Sequence, residues 1–89
     1  MSVSSSDASV TVAVRLFARY AELLGTESLA LTLPAGATVG QVIETLRRQP
    51  GGALLPPRLL VARNLIQAGE SEQVAPGDEV AVLPPMSGG

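Results

Sequence analysis

The 89-residue chain contains no cysteine, no histidine and no lysine. Each absence removes a class of chemistry. Without cysteine there is no disulfide and no thiolate nucleophile. Without histidine the chain lacks the commonest general base near neutral pH and the commonest transition-metal ligand. Without lysine it cannot form a side-chain Schiff base, and it cannot carry lysine-linked conjugates of itself. Aromatics are scarce too, with one Phe, one Tyr and no Trp, so the core must be aliphatic. No run approaches the ~20 apolar residues that span a bilayer. The Ser-rich start, residues 1–9, has no apolar stretch of the secretory kind. It reads as a disordered lead-in, and the protein as cytoplasmic.

All six cations are arginines, scattered at Arg15, Arg19, Arg47, Arg48, Arg58 and Arg63, and the net charge is −2. A basic stripe interleaved with aromatics is missing, which argues against nucleic acid as a partner. Asp7 lies in the lead-in, and most other carboxylates look like surface charges. Neither a metal site nor a bound cofactor is expected, and a self-contained active site is improbable. Any activity should be that of a non-catalytic member of a larger system.

The body of the chain is strongly patterned. From Val10 to Phe17, Val10, Val12, Val14 and Leu16 fall on one face and Thr11, Ala13, Arg15 and Phe17 on the other, the period of a half-buried strand. Ala18 to Leu24 reads as a short helix stopped by Gly25. Ser28 to Leu33 alternates again with Leu29, Leu31 and Leu33 inward. Thr38 is a good N-cap with Gln41 as its capping-box partner. Val39, Val42, Ile43 and Leu46 then make one apolar stripe, while Glu44 and Arg48 are spaced as an ion pair. Arg47-Arg48 reads as a solvated helix face. Pro50-Gly51-Gly52 ends the helix, and a loop runs through Pro56-Pro57. Leu59 to Ala62 is a short strand, Arg63-Asn64 a turn, and Leu65-Ile66 a weak extended piece. Pro76-Gly77-Asp78 is a turn before a last strand, Glu79 to Leu83, with Val80 and Val82 on one face. Asp78 and Glu79 read as turn and edge-strand polar groups.

One amphipathic helix cannot cover both faces of a sheet, so the economical arrangement is α+β, a single sheet with the main helix across one face. The other face would carry Phe17, Ala81 and Leu83. It is either a partner surface or is covered by the short helix or a loop.

The sequence then finishes Pro84-Pro85-Met86-Ser87-Gly88-Gly89. Two residues without side chains suit a tail that passes through a narrow slot, because backbone can approach backbone closely where there is no Cβ. An ordinary frayed terminus would look the same.

The segment from Gly77 to Gly89 closely resembles the C-terminus of the small subunits of molybdopterin synthase, ubiquitin-like (β-grasp) sulfur carriers. Leu16-Phe17-Ala18-Arg19, Glu22-Leu23-Leu24-Gly25 and Asn64 resemble the same family. It departs at Ala21, where an Arg is frequent, and at Met86, where Val or Thr is frequent. Carriers for thiamine, cysteine or tRNA thiolation share the Gly-Gly end, but usually not Pro84-Pro85; a protein modifier joined through Gly89 to lysines of other proteins would use the same adenylate, and the tail does not separate it. The resemblance implies a β-grasp domain over residues 10–83 with four to five strands, and a functional tail over 84–89. It implies that an ATP-using, E1-like activating enzyme adenylates Gly89, which then bears sulfur as a thiocarboxylate. The large synthase subunit would receive Pro84, Pro85, Met86, Ser87 and Gly88 in a tunnel, and the sulfur would pass to a cyclic pterin precursor.

Overall fold

The computed structural model describes residues 9–84. Among them are five strands and two α-helices: β1 Ser9–Leu16, α1 Ala18–Leu24, β2 Ser28–Pro34, α2 Val39–Arg47, β3 Leu60–Arg63, β4 Ile66–Gln67 and β5 Glu79–Leu83, with a 3-10 turn at Gly52–Leu54. The strands form one mixed sheet in the order β2-β1-β5-β3-β4. β1 and β5 pair in parallel at its centre, and the other neighbours are antiparallel.

β1 alternates without a break between exposed and buried residues, and Val10, Val12, Val14 and Leu16 all enter the core. Leu31 and Leu33 of β2, Val61 of β3, and Val80 and Val82 of β5 join them from the same sheet face. α2 closes this face with Val39, Val42, Ile43 and Leu46. Its start is secured by the expected capping box: the Gln41 amide donates to the Thr38 hydroxyl, and the Thr38 amide to the Gln41 side chain. α1 sends Tyr20 into the same core, with Ala21, Leu23 and Leu24 packed against it. The short helix is therefore on the α2 side and leaves the opposite sheet face open.

Three expectations change on contact with the structure. β5 is not an edge strand; it lies between β1 and β3. Arg47 is not merely solvated. Its guanidinium donates to the Leu55, Pro56 and Pro57 carbonyls at 3.1, 2.8 and 3.2 Å, which pins the loop entering β3. The donors of a planar fork suit this clustering of carbonyls in a loop outside the sheet. Arg48 is exposed as expected, but among the described residues Glu44 and Arg48 do not form the ion pair their spacing allows. Between the helices, Gly51 sits at φ +87°, and a Cβ there would fall 1.9 Å from the Leu23 carbonyl oxygen. The sequence signal was a helix stop; the packing reason is direct contact between α1 and the turn after α2.

The β3–β4 connection is a two-residue hairpin, since Arg63 pairs with Ile66. Asn64 and Leu65 both have positive φ, 52° and 74°, the signature of a type I′ turn, which favours Asn followed by Gly. Asn64 tolerates the left-handed region; Leu65 is strained there by about 1 kcal/mol.

Candidate functional site

The candidate tail grows out of β5. This strand is bonded on both sides, and Val80 and Val82 are 0% exposed. Its parallel partner is β1, so the end of β5 and the end of β1 lie at the same edge of the molecule. Leu83 pairs with Leu60 at the entry to β3, and Pro84 is exposed just beyond it. Pro85, Met86, Ser87, Gly88 and Gly89, the residues expected to thread and react, lie outside the described residues, as do residues 1–8 of the expected lead-in; its last residue, Ser9, opens β1 opposite Pro34.

The three residues expected on the open face are placed at this end. Ala81 sits opposite Arg15 of β1 and Ala62 of β3. The Arg15 guanidinium lies 5.7 Å from the Phe17 ring centroid and its NH1 is 2.9 Å from Glu79 Oε2. Phe17 itself is exposed at the turn into α1, so it is not a core residue. Ala81 and Leu83 are half-buried. Around the root of the tail there is thus an apolar patch with one charged pair along its flank.

The chemically richest cluster lies at the other end of β5. Asp78 is 7% exposed. One carboxylate oxygen accepts from the Ala75 amide at 2.8 Å and from Arg63 NH1 at 3.0 Å; the other accepts from the Asn64 side chain at 3.0 Å. The Ala75 amide and the Asn64 side chain do most to hold the Asp78 carboxyl below the usual carboxylate range. Arg63 adds to this and burial opposes it. Asn64 also accepts from the Glu79 amide at 2.9 Å, and Arg63 Nε lies 3.6 Å from Glu72 Oε1. The bonds from Arg63 and Asn64 tie the β3–β4 hairpin to Asp78 and Glu79, and the Ala75 amide closes the turn before β5 on Asp78, so Asp78 and Asn64 are architectural. A single sequence could not disclose the cluster, because Asn64 and Asp78 lie far apart in the chain and meet only through the β3–β5 ladder. The match of Asn64 to the family pattern was its one trace. Among the described residues no group of three or more acidic side chains converges as a metal site, and no helix is long and apolar enough to cross a membrane.

A family model described as the ThiS family matches residues 14–89. The chain belongs to the ThiS family. The chain is 34% identical over 87 residues to the molybdopterin synthase sulfur carrier subunit of Arabidopsis thaliana, covering 97% of this chain and 91% of that protein. It is 37% identical over 84 residues to the human protein of the same name, covering 88% and 93%. It is also 33% identical to small archaeal modifier protein 1 of Haloferax volcanii, covering 84% and 97%. The crystal structure of that modifier superposes with a TM-score of 0.77 at 31% identity, over 89% of this chain and 99% of the other. A putative subunit 1 of molybdopterin converting factor from Pyrococcus furiosus gives 0.79 at 28% identity, over 86% and 99%. The fold is the ubiquitin-like β-grasp, and the resemblance read from the sequence holds along nearly the whole chain.

Proposed function

We propose that this ThiS-family chain is the sulfur carrier and small subunit of a molybdopterin synthase, with the carboxyl group of Gly89 as the reacting centre. The observation that carries the reading is the family match running through Gly89, attached to a β-grasp body whose central strand feeds the tail. The named sulfur carrier subunits at 34% and 37% identity support it. So does the residue inventory, which leaves the body without cysteine, histidine or lysine.

A carboxylate is a poor electrophile. An E1-like activating enzyme joins Gly89 to AMP from ATP and releases pyrophosphate. A persulfide sulfur then attacks the acyl carbon and expels AMP, and reduction of the acyl disulfide by a thiol leaves the thiocarboxylate. One hard step is divided into easier ones. Pro84-Pro85 stiffens the start of the tail in an extended form, and six residues beyond Leu83 reach at most ~20 Å. Gly88 and Gly89 keep the reactive end thin. The large synthase subunit would take this end and supply the acid–base groups that pass sulfur to the cyclic pterin precursor. ATP belongs to the activating enzyme, and this chain holds no cofactor.

The test is intact mass after incubation with ATP, the activating enzyme and a sulfur donor. A change equal to one oxygen replaced by sulfur is expected. It should revert on addition of the large subunit and the pterin precursor. An unchanged mass would sink the proposal. The likeness to an archaeal modifier favours a second reading, attachment of Gly89 to lysines of other proteins. Covalent conjugates with a lysine-bearing acceptor in the same mixture, without sulfur gain, would select it.

A further inference from the structure

We propose that the outer edge of β2 is a pairing site for a second copy of this chain, joined antiparallel about Leu31 so that two five-stranded sheets become one. The proposal is independent of the carrier function. β2 is the long edge of the sheet, seven residues in unbroken register with β1, whereas β4 at the other edge has two. An edge of this kind offers unpaired main-chain groups, and proteins blunt it with charge, proline or bulges. Ser28–Pro34 carries no charged residue and no bulge, and its one proline comes last.

Which groups are open follows from the ladders. On the β5 side of β1, the Thr11 carbonyl accepts from the Gly77 amide and the Ala13 amide donates to the Asp78 carbonyl, both at 2.9 Å. The alternate residues of β1 turn to β2: the Leu16 amide donates to the Glu27 carbonyl at 2.9 Å, and Val14, Val12 and Val10 oppose Leu29, Leu31 and Leu33. Bonded and non-bonded positions alternate along a strand, so Ser28, Ala30, Thr32 and Pro34 turn their main chain outward. The first and last of these are closed. The Thr26 hydroxyl donates to the Ser28 carbonyl at 2.8 Å and accepts from the Ser28 amide at 3.3 Å. Pro34 has no N–H, and its carbonyl accepts from the Ala37 amide at 3.1 Å. Within β2, Ala30 and Thr32 alone keep both an amide and a carbonyl open on this edge.

This pattern is its own complement, and that selects the occupant. A two-fold axis at Leu31 sets Ala30 opposite the partner's Thr32 and Thr32 opposite the partner's Ala30, and each pair exchanges two bonds. The closed Ser28 then falls opposite the closed Pro34 of the partner subunit. Sliding by two residues either way sets an open residue against a closed one and halves the number of bonds. A foreign strand has no reason to close its own groups at both ends of the same short window. On the helix side Leu31 meets its own copy, and the half-buried Leu29 meets the partner's Leu33, which continues the apolar row of the core across the joint. β1 separates β2 from β5, so the joint is remote from the strand that bears the tail.

Analytical ultracentrifugation of the full chain over a concentration series tests this. The mass should rise from 9.1 kDa toward twice that value by about 1 mM, the range of a short, weak interface. Ala30→Pro removes an outward donor and spares the ladder to β1. It should keep the urea midpoint near that of the wild type and weaken the pair at least about tenfold. Thr32→Arg, which brings like charges into the joint, should weaken it as well and carries the test if Ala30→Pro does not fold. The lack of native cysteine lets the register be read directly. Ala30→Cys chains mixed with Thr32→Cys chains and oxidised with glutathione disulfide should give the mixed disulfide in preference to either symmetric one, because bonded antiparallel pairs lie ~5.5 Å apart, within disulfide reach. A chain that stays monomeric, a dimer unchanged by both edge variants, or symmetric disulfides in excess overturns the proposal. So does a dimer that forms only after removal of residues 1–8, which assigns the edge to the chain's own lead-in.

Discussion

Replacing Asp78 with alanine should destabilise the domain by about 3 kcal/mol. Three donors lose their acceptor: the Ala75 amide, the Asn64 side chain and Arg63 NH1. A bond to a charged acceptor is worth about 1.5–3 kcal/mol when the partner cannot turn to water. The Ala75 amide accounts for about 2 of this. Asn64 keeps its bond from the Glu79 amide and contributes about 1. Arg63 is a third exposed and retains Glu72 nearby, so its share is small. A domain of this size has about 5–10 kcal/mol in total, so the loss should be plain in urea unfolding followed by far-ultraviolet circular dichroism. With a slope of about 1 kcal/mol/M the midpoint falls by ~3 M. The effect carries a pH signature. The Asp78 carboxyl is held below its usual pKa in the folded state, so its contribution is complete above the unfolded value. It is lost as pH falls through the folded one. The gap between wild type and Asp78→Ala should therefore be full near neutral pH and shrink below about pH 3–4. A gap under about 1 kcal/mol at neutral pH, or one that does not change with acid, would refute the reasoning.

Gly51→Ala should cost at least ~3 kcal/mol, because its Cβ would meet the Leu23 carbonyl at 1.9 Å from a backbone at φ +87°; the urea midpoint checks it. Arg47→Lys should cost about 1–2 kcal/mol, since an ammonium cannot span the three carbonyls as the fork does, whereas Arg48→Ala should be nearly neutral. Thr38→Ala should cost about 1 kcal/mol through loss of the cap on α2. Gly88→Leu should leave unfolding unchanged and abolish sulfur delivery to the pterin precursor, read by intact mass before and after addition of the large subunit.

What could be read without the structure divides by range. β1, β2, α1, α2 and β5 were legible because periodicity, caps and turn residues act over a few neighbours. The Thr38–Gln41 box and the buried stripe Val39, Val42, Ile43 and Leu46 are cases in point. The central place of β5 was not legible from pattern, since half-burial looks alike in an edge strand and in an inner one whose second face is open. Arg47 was misjudged for a similar reason: its position on α2 is peripheral, but a proline-rich loop folds over it. The strain at Leu65 was invisible because the turn was read at Arg63-Asn64, one residue early. The root of the tail was legible as an apolar face, with Phe17, Ala81 and Leu83, once the sheet was assumed. The hairpin lock of Asp78 with Asn64 and Arg63 was not.

The topology explains why a six-residue tail belongs on β5 and not on another strand. A tail drawn into a tunnel transmits its load to the strand that bears it. β2 is bonded along one side only, and β4 is two residues long. A pull on either would peel a single ladder from its end. β5 is bonded to β1 on one side and β3 on the other, with Val80 and Val82 wholly buried. Displacing it means breaking both ladders and opening the core at once. If Gly89 is the reacting centre as proposed, a fixed root would confine it to the reach of the tail and raise its effective concentration at a partner's site once the body is held. On the proposed carrier function, the body would govern the chemistry through the strand that fixes the root of the tail, Glu79–Leu83.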